Sequence, residues 1–447
     1  MIAFLRIYLY WSVLWGFLAY PALGMRSLVS PLLLGMDLLV MGVCSLYIGT
    51  RLFKSDRSPL GRQIYLASFA CVFLLAYGLA TSAYAGSSMV DAAMYVAALL
   101  RPMLILIATA VYLLTSPPRR ARVLYKRLRV DMLLLVGAQF AIATMQLISP
   151  ALGGEFIPSL AETQSAVYAL ALGHVSGTFS NSIDLAYFLL AAYISLTLRL
   201  WQRHQAPPIL MSGLFAFYAN ATGSLTGQIC LWAYIGYLWL RSLSRTNRRL
   251  VVFLGIMFSA AVVVNYSSII SSAILDKFDD MMLSRLGLIF VSIPGLSSTM
   301  PERLLIGSGA DFNAILSLLR NLPEVPLIFT YEESASAIND VFWVAMVLAI
   351  GMPVTCFYVY RMMQLFKVYI GRSLGAQSTK NLVWTIWLIV FIAGMLNQIL
   401  VVRPFTITLI LGLLPLAIGP FVRRVTGTVP LRGDPFSSST AARHEIT

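Results

Sequence analysis

The sequence predicts an all-α, polytopic membrane protein of about twelve transmembrane helices with one large water-facing loop. Three observations predict it. Charged residues make up 11% of the chain and apolar ones 59%, an inversion of the soluble pattern in which charges reach about 25%. Apolar runs of about 20 residues, the length of helix that crosses a hydrocarbon core, recur along the chain. The basic residues fall between alternate pairs of those runs, which is what retention of Lys and Arg on one face produces. A mean hydropathy of +0.81 makes lipid the solvent of most of the chain. The net charge of +14 is dealt out between apolar runs rather than gathered on one surface, so no nucleic-acid partner is expected.

Taken in order, the runs are 2–20, 28–49, 64–85, 92–114, 131–149, 183–200, 208–222, 225–240, 250–267, 338–360, 382–402 and 405–422. The first carries Arg6 before its apolar core but is long and lacks a small-x-small cleavage site, so it reads as an anchor rather than a signal peptide. The seventh and eighth are short and split by Thr222-Gly223-Ser224. The chain thus divides into an N-terminal bundle at 1–267, a loop module at 268–337, a C-terminal three-helix part at 338–422 and a tail at 423–447. Cys44, Cys71, Cys230 and Cys356 all sit in apolar runs without metal or redox spacing and read as small hydrophobes.

Charge sets the orientation. Alternate connections and the tail, with Arg6, hold 25 of the 32 basic residues but only Asp56, Asp131, Asp434 and Glu445 among the acids, a balance of +21 against −7 for the remainder. Both termini are therefore expected in the cytoplasm, with the loop at 268–337 facing outward. Seven basic residues break the pattern: Arg26, Arg101, Lys277, Arg285, Arg303, Arg320 and Arg403. A snorkelling or ion-paired side chain explains any one of them alone, and an anion-binding role is the other reading. Arg101 and Asp37 each lie nine or ten residues inside the outer end of their runs, roughly 14 Å deep. An unpaired Arg there costs about 3 kcal/mol, so a pair between them is expected, with a polar cavity open to the outer face as the alternative.

The outward loop carries the remaining signals. Phe312, Ile315, Leu316 and Leu319 recur at helical spacing, with Asp311 and Arg320 at the ends that suit the dipole, and predict a helix over 311–322. Arg285 lies in an apolar segment, 281–293, read as interfacial. The Asp276-x-x-Asp279-Asp280 cluster reads as solvated acidic surface rather than a cation site, and no metal motif or cofactor is expected. Gly307-Ser308-Gly309 is either a tight turn or a place where backbone amides approach phosphate. In the second outward loop, His174 reads as an interfacial imidazole and Asn181 as the cap of the sixth helix.

Gly177-Thr178-Phe179 followed by Asn181 resembles the glycine-[Thr/Arg]-Phe-x-Asn-Pro-Asn entry to a transmembrane helix in the O-antigen ligase and polymerase superfamily of bacterial polysaccharide assembly. Thr222-Gly223-Ser224 continues the likeness, as do Arg285, Pro301, Gly307-Ser308-Gly309 and Phe312, in the family's arginine, proline and glycine-x-glycine-x-x-Phe order. Asn339-Asp340, followed by Gly351, sits where ligases carry His-Asn. The matches are short and span residues 173–355. Ser182 and Ile183 replace the family's Pro-Asn, Leu225 an arginine, and Ile338 the ligase histidine, which favours a polymerase over a ligase.

The resemblance implies a glycosyltransferase of the bacterial inner membrane that joins undecaprenyl-pyrophosphate-linked oligosaccharides at the periplasmic face. A chain-length regulator and a flippase would be its partners beside the lipid bilayer. The donor carries its own leaving group, so the protein must neutralise pyrophosphate and orient the acceptor, and arginine suits the first task. Arg285, Arg303, Arg403 and Arg101, with His174 and Asn181, are the candidate substrate-binding residues. Glu302 and Asp340 are the candidate bases, each equally explained as a solvated pair with Arg303 or as a helix cap. A flippase is the alternative from another class; the single dominant loop and the absence of paired halves weigh against it.

Overall fold

The computed structural model describes residues 1–23, 29–52, 59–115, 118–148, 173–179, 181–202, 205–265, 294–310, 315, 342–371, 376–396 and 402–413. Among these the chain is helical, with no strand. The helices are α1 (Ile2–Leu23), α2 (Val29–Leu52), α3 (Pro59–Tyr84), α4 (Met89–Thr115), α5 (Pro118–Ile148), α6 (Ser182–Gln202) and α7 (Ile209–Ala221). There follow α8 (Leu225–Ser242), α9 (Arg245–Asn265), the short α10 (Pro301–Ile306), α11 (Phe342–Ile350), α12 (Met352–Gly371), α13 (Ala376–Leu396) and α14 (Arg403–Leu413). Among the described residues, each apolar run read from the sequence carries helix. Among the described residues three stretches, Gly61–Tyr84, Met89–Thr115 and Lys126–Ile148, are long and apolar enough to cross a membrane, and five shorter apolar helices join them.

Two boundaries differ from expectation. The basic stretch at 119–129 is not a loop: α5 begins at Pro118 and runs through it. Leu124, Leu128, Met132 and Leu135 fall on one buried face while Lys126, Arg127 and Arg129 stay exposed, so the helix is amphipathic where it carries its charges. The run at 338–360 is two helices broken at Gly351, whose φ of +79° only glycine adopts freely. Of the loop module, 294–310 and Ile315 are described; Ile315 is helical and fully buried, and the rest of the helix expected over 311–322 lies outside the described residues.

The core is built around α4 and α6. Residues 99–111 of α4 are all buried, as are 185–194 of α6. The α3–α4 hairpin closes because Gly78 lets Val96 approach: a Cβ there would stand 2.5 Å from the Val96 Cγ2. Pro102 interrupts the amide ladder of α4, and the fully buried Tyr358 of α12 donates to the nearby Leu99 carbonyl at 2.9 Å. α14 packs in parallel on α6, with the Tyr187 and Phe405 ring centroids 6.1 Å apart and Ser195 Oγ donating to the Thr408 carbonyl at 3.4 Å. At one end of the bundle Arg6 forks onto Asp131 at 2.6 and 2.8 Å, and the Tyr10 hydroxyl donates to the same carboxylate at 3.0 Å. Charge counting had set Arg6 and Asp131 on one face without pairing them.

Candidate functional site

The pair expected between Asp37 and Arg101 is present and is larger than a pair. Arg101 Nη1 donates to Asp37 Oδ2 at 2.5 Å, Arg403 Nε donates to the same oxygen at 2.8 Å, and the Tyr8 hydroxyl donates to Oδ1 at 2.7 Å. Four helices, α1, α2, α4 and α14, thus meet on one carboxylate. The Arg101 side chain is 3% exposed and that of Arg403 33% exposed. Burial of one arginine demands a counter-charge; two arginines on one carboxylate leave a positive excess, and the accessible arginine carries it outward. The Nη1 and Nη2 groups of Arg403 have no partner among the described residues. Such a fork grips phosphate or carboxylate oxygens in pairs.

Beside this cluster the chain before α6 enters the bundle without being helical. Val175 to Phe179 are buried, and backbone at such depth must find its hydrogen bonds within the protein. Two glutamines on one face of α5, two turns apart, supply them. Gln146 Oε1 accepts from the amides of Ser176 at 3.0 Å and Gly177 at 2.9 Å, and Gln146 Nε2 returns a bond to the Gly177 carbonyl at 2.8 Å. Gln139 Oε1 accepts from the Thr178 amide at 3.0 Å, while Gln139 Nε2 donates to Thr178 Oγ1 at 2.6 Å and to the Val13 carbonyl of α1 at 3.1 Å. Thr178 Oγ1 donates to that same carbonyl. Gly177 has φ +60°, and a Cβ there would lie 2.2 Å from Gln139 Oε1.

The same segment touches the second stretch singled out in the sequence. The Val175 amide donates to the Ala221 carbonyl at 2.9 Å. The His174 ring lies against Gly223, where φ is +69° and a Cβ would stand 2.4 Å from Cε1. Ser224 caps α8 by accepting from the Gly227 amide. Asn181 Oδ1 accepts from the Ile183 amide at 3.0 Å and so caps α6. No family model, curated protein or solved structure matches the chain.

The remaining expected residues are placed as follows. Arg303, on α10, has its guanidinium over the Tyr84 ring at 5.7 Å and does not join Asp37. Glu302 is exposed and forms no ion pair with Arg303 among the described residues. Arg285 and Asp340, with the acidic cluster at 276–280, lie outside the described residues. Gly307-Ser308-Gly309 is a tight turn rather than a phosphate cradle. The Gly307 amide is taken by the Arg303 carbonyl at 2.8 Å and that of Ser308 by the Leu348 carbonyl at 2.8 Å, while the following Ala310 amide donates to Ser82 Oγ at 2.8 Å. Gly307 and Gly351 interlock: a Cβ on the first would meet the Ala349 carbonyl oxygen at 2.5 Å, and on the second the Leu305 carbonyl oxygen at 2.2 Å. Among the described residues no group of three or more His, Cys, Asp or Glu side chains could hold a metal.

Tyr8, Gln139, Gln146 and Asp184 are the polar residues of this region to which the sequence reading gave no role. The two glutamines carried a signal, since an amide side chain twice on one face of an apolar run must bond to something inside it. Tyr8 carried none.

Proposed function

We propose that this chain is a glycosyltransferase that polymerises undecaprenyl-pyrophosphate-linked oligosaccharide repeat units into O-antigen or exopolysaccharide chains at the periplasmic face of the bacterial inner membrane. The observation that supports it is the partly accessible Arg403 fork backed by Arg101 on a shared carboxylate. A lipid-linked donor brings a pyrophosphate to the headgroup zone, and the transfer step needs fixed positive charge where the leaving group gains negative charge. Arg403 would hold the phosphate oxygens, with Arg101 a permanent second charge behind it. Asp37 keeps both guanidiniums aimed before substrate arrives, so little reorganisation is needed at the moment of reaction. The family-like segments at 174–181 and 222–224 lie against each other, as parts of one site should.

The reading is tested by supplying the purified protein in proteoliposomes with a purified lipid-linked repeat unit. A ladder of extended chains is expected, with Arg403→Ala lowering extension about 100-fold at normal protein abundance, the scale of removing one transition-state donor. Translocation of the unit across the vesicle without extension would replace the polymerase reading by a flippase. Transfer to a lipid A acceptor without extension would replace it by a ligase.

A further inference from the structure

Asp184 is the third residue of α6. The nine residues that follow it, Leu185 to Tyr193, are each 0% exposed, whereas Asp184 itself keeps partial exposure at the end of the most enclosed helix. The parallel packing of α6 on α14 fixes what lies beside it. Tyr187 meets Phe405, Ser195 meets Thr408, and a Cβ at Gly412 would run into Ser195. One turn earlier in the same register, Asp184 falls opposite Arg403, and it lies within reach of that arginine's charge. The two do not close into an ion pair, and the Asp184 carboxylate accepts no hydrogen bond among the described residues. The alternative acids are placed otherwise: Asp37 has both oxygens occupied, and Glu302 stands exposed on α10.

Resting on the polymerase reading above, we propose that Asp184 is the catalytic proton acceptor of the transfer, and that the gap between it and Arg403 is where the acceptor hydroxyl meets the donor sugar. The acceptor oxygen forms its bond to the anomeric carbon of the donor. The bond from that carbon to the pyrophosphate oxygen breaks, and its electron pair leaves on that oxygen, held by Arg403. The hydroxyl proton passes to the Asp184 carboxylate and from there to water. An acid at the third position of a helix also suits the helix dipole, so the test must separate chemistry from helix stability.

The experiment measures extension by Asp184→Asn and Asp184→Glu in the same proteoliposomes, across pH, with thermal unfolding in parallel. The charged groups facing Asp184 are Arg403 on α14 with Asp37 and Arg101 behind it; His174 is the titratable residue on its own leading segment. Asp184→Asn is expected to lower kcat about 100-fold or more with KM within about threefold, and to erase the acid limb of the wild-type rate profile. Asp184→Glu should restore part of kcat together with that limb. Should the Asn variant unfold, Asp184→Ser takes its place. Extension by the Asn or Ser variant within about threefold of wild type, or an acid limb that survives the substitution, overturns the role of Asp184 and leaves the polymerase reading standing. Failure of the wild-type protein to extend any lipid-linked unit overturns both.

Discussion

Asp37→Asn should be the most damaging single polar substitution in the bundle. It removes the acceptor of three donors at once: Arg101, Arg403 and the Tyr8 hydroxyl. Breaking a buried pair by deleting one partner costs about 3–5 kcal/mol, because the charge left behind is uncompensated. The exposure of the two arginines says where that cost falls. Arg403, at 33%, can swing its guanidinium to water, but Arg101, at 3%, cannot. Arg403→Gln should therefore cost only about 1.5–3 kcal/mol, the scale of one hydrogen bond to a charged group. Replacing both buried members with apolar residues of similar volume, Asp37→Leu with Arg101→Met, should cost less than Asp37→Asn alone, since an apolar substitute avoids the desolvation that the pair only offsets. Equilibrium unfolding of the purified protein in mixed micelles measures these three variants together with Asp37→Leu and Arg101→Met made singly. An Asp37→Asn cost under about 1 kcal/mol, or a double variant as unstable as the sum of its parts, would refute the assignment of this cluster as a buried, coupled network.

Two further predictions rest on other parts of the structure. Gly351→Ala should destabilise by about 2 kcal/mol or more, combining a positive φ with a backbone carbonyl 2.2 Å from the added carbon. Gly213→Ala, on a helix face with nothing within 4 Å, should stay within about 1 kcal/mol of wild type in the same unfolding assay. For orientation, cysteines placed at Ser297 and Ser159 should react with an impermeant thiol reagent in intact cells and one at Ser378 should not; labelling at 378 alone would reverse the topology.

The parts legible in the sequence are those where a large energy has a simple spatial cause. An arginine at depth has to be paired, so Arg101 and Asp37 could be joined from their distances along two helices, and the structure joins them. That Arg403 would come to the same carboxylate was open, because its position fixes only that it stands at a helix mouth. The break at Gly351 was hidden for a different reason. Glycine is common within membrane helices, and the constraint on this one comes from Leu305, which is far away in the chain. The helical start of α5 was hidden by its charges, although Leu124, Leu128, Met132 and Leu135 recur at the spacing of a buried stripe. Gly307-Ser308-Gly309 admitted two readings until the partners of its amides were known, since a loop that cradles phosphate and one that turns tightly ask the same of glycine.

The site and the clasp beside it solve one physical problem together. On the proposed polymerase reading, a donor bound at the headgroup level must be met by fixed charge, yet charge in a helix bundle is costly unless each guanidinium is held. Asp37 holds two of them and leaves the outer one partly free. With Asp184 as the proposed proton acceptor, the acceptor side needs an acid that is not itself neutralised by that arginine, which requires the two elements carrying them to be set at a fixed separation. On one side that separation is set by the packing of α14 on α6. On the other it is set by the irregular segment at 175–179, which Gln139 and Gln146 tie to α5 and, through the Val13 carbonyl, to α1. Because α1 also presents Tyr8 to Asp37, the helix that steadies the entry of α6 is the one that steadies the arginine cluster. A shift in either would move Asp184 relative to Arg403, and this gives polar side chains outside the proposed chemistry a reason to lie so deep among apolar ones.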